Sequence, residues 1–270
     1  MKGFFDMLTM IEVLKAILFG VVEGITEWLP ISSTGHMILL DEFVKLNVSK
    51  EFLDLFLVVI QLGAILAVVV IYWNKLIPLS TKHGLHISRR KCKMWVKIIV
   101  ASIPAGVVGI LWDDVFTKYF YNYQTVAIML ILVGVVFIII ERSNKNKIAK
   151  IDSIDDISYG QAFLIGVFQM IAAIFPGTSR SGSTIVGSLM LGISRTAAAE
   201  FTFFLAVPAM FGGSAIKILK YSGGFNSAEV ALLAIGMIVA FVLSIIAIKF
   251  LMSYIKKHDF KVFGWYRIIL

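Results

Sequence analysis

Runs of about twenty apolar residues constrain this chain more than any other feature in it. Phe52–Tyr72, Trp95–Trp112, Phe120–Ile140 and Ala228–Phe250 are each close to the length that crosses about 30 Å of hydrocarbon at about 1.5 Å per helical residue. Phe201–Leu219 makes a fifth run, with Pro208 predicting a kink. Aromatic residues at several ends suit the interfacial belts of membrane helices. Hydrophobic residues make up 59% of the chain and charged ones 16%, against about 25% charged in ordinary soluble domains. Because the excess comes in blocks, one oversized soluble core does not explain it. The predicted fold class is an all-α polytopic membrane protein with about six transmembrane helices.

Two further apolar blocks stop early. Met10–Leu29 contains Glu23 and Glu27 and ends at Pro30-Ile-Ser-Ser-Thr-Gly-His36. Gln161–Phe175 ends at Pro176-Gly-Thr-Ser-Arg-Ser-Gly182. Short apolar returns follow, Met37–Leu40 and Thr184–Leu191. Such a pattern predicts two re-entrant helical hairpins, whose irregular backbone is tolerated at membrane depth only when buried in protein or lining a wet cavity. The hairpins also match one another. Gly20 and the residues after it align with those from Gly166, an offset of 146 (166 − 20) that sets Glu23 on Gln169, Pro30 on Pro176, Ser32 on Thr178, Ser33 on Ser179 and Thr34 on Arg180. Phe56-Leu57 meets Phe204-Leu205 two positions further out. We read residues 1–150 as a first repeat, a hairpin plus three spans. Residues 151–270 form a second, inverted one, a hairpin plus two spans and a short C-terminal segment. Inverted repeats of broken helices place a site where their turns meet, near the bilayer midplane.

Charge sets the orientation. The net charge is +8, from 25 basic and 17 acidic residues. The basic residues sit between apolar blocks, as in loops facing anionic lipid, and this argues against a nucleic-acid partner. Lys75, Lys82, Arg89, Arg90, Lys91, Lys93 and Lys97 occupy one stretch free of acidic residues, which should be cytoplasmic. The Asp113–Tyr119 segment reads as an external loop, and Lys256, Lys257 and Lys261 as internal. The first hairpin then enters from outside, and the site opens to the external face. Met1–Thr9 shows no removable leader. A single cysteine, Cys92, excludes an intrachain disulfide and reads as an ordinary loop thiol.

Glu23 and Glu27 share one helical face. A charge inside the membrane costs about 2.5–3.5 kcal/mol by insertion scales, so a metal ion, an arginine, a shared proton or water must offset it. Ser32, Ser33, Thr34 and His36 follow directly. Ser32 by itself suits simple turn chemistry, whereas Ser33 with His36 and the two carboxylates suits a nucleophile with acid–base partners. Gly177, Thr178, Ser179, Arg180, Ser181 and Gly182 open a helix, where backbone N–H groups attract anions and Arg180 adds a planar fork for phosphate oxygens. A simpler role for Arg180 is to neutralise Glu23 or Glu27, and both can hold. Gln61 and Glu200 are candidates to line the cavity. Trp28, Trp73 and Trp112 suit packing or interface anchoring.

The segments Val22-Glu-Gly-Ile-Thr-Glu-Trp-Leu-Pro-Ile-Ser-Ser-Thr-Gly-His36 and Pro176–Gly182 resemble the two signature motifs of the undecaprenyl-diphosphate phosphatases, the bacitracin-resistance protein family. The resemblance covers essentially the whole chain in order. It implies dephosphorylation of undecaprenyl diphosphate, a polyprenyl diphosphate lipid, in a bacterial plasma membrane, which recycles the carrier for envelope polymers and protects against bacitracin. It further implies a divalent cation (magnesium or calcium) and a homodimer. The family's glutamates fall on Glu23 and Glu27, its serine on Ser33, its histidine on His36, its arginine on Arg180 and a second arginine on Arg267. The family's last helix continues well past that Tyr-Arg, whereas Val262–Leu270 is too short to cross.

Two mechanisms stay open at this point. In one, Ser33 attacks the terminal phosphorus while Glu27 or His36 takes its proton. In the other, water attacks with Glu27 as base and Ser33 only orients. An ion-coupled transporter or lipid flippase suits inverted repeats as well. A membrane phosphatase of the Lys-x6-Arg-Pro kind does not fit, since the chain has no Arg-Pro dipeptide.

Overall fold

The computed structural model describes residues 10–80 and 86–270, apart from the side chains of Ser80, Asp113 and Asp114. Met1–Thr9, read above as free of a leader, and Lys82 lie outside the described residues. The chain runs α1 Met10–Thr26, α2 Ser33–Phe43, α3 Lys50–Ile71, α4 Arg89–Phe120 and α5 Tyr123–Asn144. It continues through α6 Tyr159–Ile174, α7 Arg180–Met190, α8 Arg195–Lys220, α9 Ser227–Tyr254 and α10 Lys261–Ile269. A helical turn at Trp73–Leu76 and a two-residue antiparallel ladder, β1 Leu79–Ser80 on β2 His86–Ile87, link α3 to α4. The protein is an all-α polytopic membrane protein. Among the described residues five helices are long and apolar enough to cross: α3, Arg89–Trp112 of α4, α5, α8 and α9.

Polar residues at the caps explain where these helices begin. Ser49, Asn122, Ser158, Ser194 and Asn226 each accept a backbone N–H of the first turn, so a donor left without a helical partner is satisfied inside the sequence. Ser158 with Gln161 and Asn226 with Glu229 form complete capping boxes. One expectation is corrected. Asp113–Tyr119 is not a loop, because α4 continues through it to Phe120 and only Tyr121 and Asn122 join α4 to α5. Aspartates on a helix end are tolerated once the helix has left the hydrocarbon, so charge there does not mark a chain break.

The first five helices answer the last five in their packing. α1 lies on α9 as α6 lies on α4, and α3 meets α9 as α8 meets α4. α3 packs on α8, and α5 on α10. Small residues bring these backbones together. A Cβ on Gly20 would lie 2.7 Å from the Gly236 carbonyl oxygen, and one on Gly166 would lie 2.2 Å from that of Ala101. Apolar side chains fill the interior, with Trp28, Phe137, Phe201, Phe203, Phe204 and Phe260 fully buried. Ile99, Leu132, Ile139, Ile238 and Ile246 are exposed on the outer surface, as lipid-facing helices require.

Candidate active site

Both broken helices restart in the same way. Ser32 and Ser179 are the only described non-glycine residues at positive φ, 73° and 68°. Each caps the next helix with its own hydroxyl, Ser32 accepting from the Gly35 N–H at 3.3 Å and Ser179 from the Gly182 N–H at 3.1 Å. The shared Ser-x-x-Gly cap shifts the register found in the sequence. Ser32 corresponds to Ser179, not Thr178, and Ser33 to Arg180, not Ser179. From the aligned glycine to the cap the second half therefore holds one extra residue, Gly166 to Ser179 (179 − 166 = 13) against Gly20 to Ser32 (32 − 20 = 12), and at its break Gly177 adopts φ 88° with Val126 pressed against it. A Cβ there would lie 2.5 Å from the Val126 carbonyl oxygen. Only glycine tolerates both conditions.

The first residues of α2 and α7 converge on one carboxylate. Glu27 accepts the Ser33 hydroxyl on Oε2 and Arg180 Nη2 at 2.6 Å on Oε1. All three face a cavity of about 200 Å³ that Thr34, Gln61, Pro176, Gly177 and Ser179 also line. Its other walls are apolar or small: Val58, Ala172, Ala209, Met210, Gly213 and Ser214. Among the described residues Arg180 Nη1 has no hydrogen-bond partner, so the guanidinium keeps a donor beyond its bond to Glu27. A hydroxyl, a carboxylate and a cationic fork thus surround a space large enough for a phosphate group.

Glu23 stands one turn behind Glu27, 1% exposed, and among the described residues neither of its carboxylate oxygens has a hydrogen-bond partner. A buried carboxylate so placed is costly. Hard divalent cations take oxygen ligands and commonly use one or two carboxylates plus substrate phosphates. Among the described residues no three His, Cys, Asp or Glu side chains cluster to make a complete protein site. The two glutamates therefore fit a cation that shares its ligands with a phosphate.

Other candidates lie elsewhere. His36 does not line the cavity: its Nδ1 lies 2.8 Å from the Ser32 carbonyl oxygen and its Nε2 2.7 Å from the Tyr266 hydroxyl. Arg267 is fully buried and donates to the carbonyls of Pro30, Met129, Leu130, Gly177 and Thr178, tying both turns to α5. Thr178 is buried beside it, away from the cavity wall. Ser181 is also buried, 3.1 Å from the Ser179 hydroxyl. Glu200 does not line this cavity but pairs with Lys75. That pair sits in a second, larger cavity of about 810 Å³ among Arg90, Lys91, Asp152 and Asp155. Sequence reasoning missed Ser214, Gly213 and Tyr266. The first two fall within an apolar run, and Tyr266 gains meaning only through its distant partner.

The family profile described as "Bacitracin resistance protein BacA" matches residues 16–270. The chain belongs to the BacA family. This BacA chain is 64% identical over 263 residues to the undecaprenyl-diphosphatase of Desulfitobacterium hafniense, covering 97% of this chain and 95% of that one. It is 62% identical over 260 residues to undecaprenyl-diphosphatase 1 of Clostridium acetobutylicum, covering 96% and 95%. It is 58% identical over 265 residues to an undecaprenyl-diphosphatase of Enterococcus faecalis, covering 97% and 96%. In this BacA chain the hydroxyl, carboxylate and guanidinium that meet at the cavity come from the two broken helices, Glu27 and Ser33 at the first break and Arg180 at the second.

Proposed function

We propose that this BacA protein hydrolyses undecaprenyl diphosphate to undecaprenyl phosphate and inorganic phosphate. The reaction recycles the lipid carrier for cell-wall synthesis and confers resistance to bacitracin. One observation carries the reading: Glu27 is bonded at once to the Ser33 hydroxyl and to Arg180 across a cavity flanked by apolar walls. The lipid tail stays in the bilayer while the diphosphate enters. Arg180 turns from Glu27 to the phosphate oxygens, with Thr34, Ser179 and the Gly177 backbone beside it. Phosphoryl transfer needs mainly positioning and charge stabilisation, which these groups supply.

With Arg180 engaged, the Glu27 carboxylate becomes a free base for the hydroxyl it already holds. Ser33 Oγ attacks the terminal phosphorus as its proton passes to Glu27, the bond to the bridging oxygen breaks, and Glu27 hands the proton on to the departing lipid monophosphate, which leaves the carboxylate free again. Water, deprotonated by Glu27, then cleaves the phosphoserine and releases inorganic phosphate. Glu23 and Glu27 would hold the divalent cation, magnesium or calcium, which supplies positive charge against the phosphate oxygens when bound.

The two cavities support an external site. The Ser33–Arg180 cavity takes Val58 and Gln61 from α3 and Gly213 and Ser214 from α8. The second cavity takes residues from the opposite ends, Lys75 just after α3 and Glu200 early in α8, and stands beside the basic start of α4. With basic residues inside, residues 1–150 and 151–270 form two inverted halves in the bacterial plasma membrane, and the catalytic cavity opens outward. Family resemblance supports a homodimer. The test is phosphate release from a polyprenyl diphosphate by purified protein in detergent, where a transporter has no gradient to use. Release that is lost in Ser33→Ala and Arg180→Ala, and that stops with chelator, is the expected result. Near-normal turnover in Ser33→Ala would sink the covalent step.

A further inference from the structure

The geometry points to a role for Tyr266 that rests on the proposed reaction: Tyr266 and His36 form a strut that fixes the backbone at Ser32 and so aims Ser33. The rings of His36 and Tyr266 stack with 6° between their planes and 5.6 Å between centroids. A carbonyl oxygen only accepts, so the 2.8 Å contact to Ser32 O puts the histidine proton on Nδ1. Nε2 is then the acceptor, and the Tyr266 hydroxyl donates to it at 2.7 Å. Both ring nitrogens are occupied, which leaves no lone pair to receive the Ser33 proton. Of the two bases weighed from the sequence, Glu27 alone bonds the Ser33 hydroxyl. His36 acts through Ser32 and is a positioning residue.

Ser32 needs such support. Its φ of 73° with ψ 94° is a conformation that L side chains rarely adopt, and strained residues of this kind persist only where the surroundings over-determine them. From the inside, the Ser32 hydroxyl holds Gly35 N–H; from the outside, the imidazole holds the Ser32 carbonyl. The second strained turn is backed from the same place. Arg267, next to Tyr266 in α10, donates to the Gly177 and Thr178 carbonyls at 2.8 and 2.9 Å, just before Ser179. Consecutive residues of one short helix therefore brace both turns, Tyr266 through an aromatic relay and Arg267 directly. Tyr266 touches neither the cavity wall nor a reacting atom.

The test compares Tyr266→Phe, His36→Asn and His36→Ala with the parent protein, using phosphate release from a polyprenyl diphosphate across pH and thermal melting as the check on folding. Tyr266→Phe keeps the stacking ring and removes only the donor. Misplacing a reacting group by about 1 Å can cost about a hundredfold in rate, so kcat is expected to fall about tenfold or more with KM nearly unchanged and the melting curve little moved. Asparagine can still donate to the Ser32 carbonyl, so His36→Asn should keep at least about tenfold more kcat than His36→Ala. The pH profile of His36→Asn should have the shape of the parent's. Parent-like kcat in Tyr266→Phe overturns the strut. So does a His36→Asn enzyme as poor as His36→Ala whose profile has lost an inflection, because His36 would then be titrating in the reaction. A parent protein that releases no phosphate refutes the phosphatase reading itself, before any variant is compared.

Discussion

Replacing Glu27 with glutamine should slow the enzyme and at the same time tighten its grip on a bare anion. In the resting structure Arg180 Nη2 is bound to Glu27 Oε1 at 2.6 Å, with the two side chains 18% and 9% exposed. A phosphate must displace that carboxylate to use the same donor. Hydrogen bonds to charged groups contribute about 1.5–3 kcal/mol, and partial exposure favours the lower end of that range. Glutamine keeps a neutral acceptor, so roughly half of the competition remains and about 1 kcal/mol is returned to the incoming anion. At about 1.4 kcal/mol per tenfold, the Kd for inorganic pyrophosphate should fall about fivefold. Turnover should fall about a hundredfold or more, as expected when a general base is removed. Calorimetric titration of pyrophosphate into purified protein, with chelator present so that no cation contributes, measures the first effect, and phosphate release measures the second. Unchanged or weaker binding by folded Glu27→Gln protein would refute the view that Glu27 and phosphate compete for Arg180.

Other substitutions probe the frame. Gly177→Ala combines a positive φ with a Cβ 2.5 Å from the Val126 carbonyl oxygen, so a stability loss of about 2–3 kcal/mol and a matching drop in Tm are expected. Glu141→Gln weakens a bidentate pair with Arg195 whose acid is 1% exposed and which also receives the Phe260 N–H at 3.0 Å. Because Arg195 is partly exposed, a loss of about 2 kcal/mol is expected, read by chemical denaturation, without a change in KM. Gly213 lines the cavity, and a Cβ there would meet nothing within 4 Å. Gly213→Leu should therefore melt like the parent yet lose most of its phosphate release, and a fully active variant would show that substrate does not pass that wall.

Much of this architecture was legible because membrane helices carry their own signal. A span must be about twenty apolar residues long, and a break at Pro30 or Pro176 followed by glycine and serine is local chemistry. Glu27, Ser33 and Arg180 stood out because such side chains rarely occur within apolar blocks without a purpose. What the sequence hid was set by distance or by single-residue geometry. The run from Asp113 to Tyr119 reads as a loop from its charge, yet charge there lies within the helix that ends at Phe120. The one-residue excess of the second half is hidden because the helices before the breaks align at 146, whereas the caps Ser32 and Ser179 are 147 apart (179 − 32). His36 follows Ser33 by three residues in the sequence, and only a partner 230 positions along the chain shows it turned away.

That excess residue has a consequence for direction. Two equal halves meeting about a pseudo-two-fold would offer a diphosphate the same surroundings from either side, and a lipid bound backwards would bind as well as one bound forwards. Here the first position of the restarting helix is a hydroxyl in one half, Ser33, and a guanidinium in the other, Arg180. Glu23 is answered across the alignment by the uncharged Gln169. In the proposed reaction one half attacks and the other holds. In that reaction the broken equivalence would leave the substrate a single productive orientation, a polar crevice in place of a symmetric one.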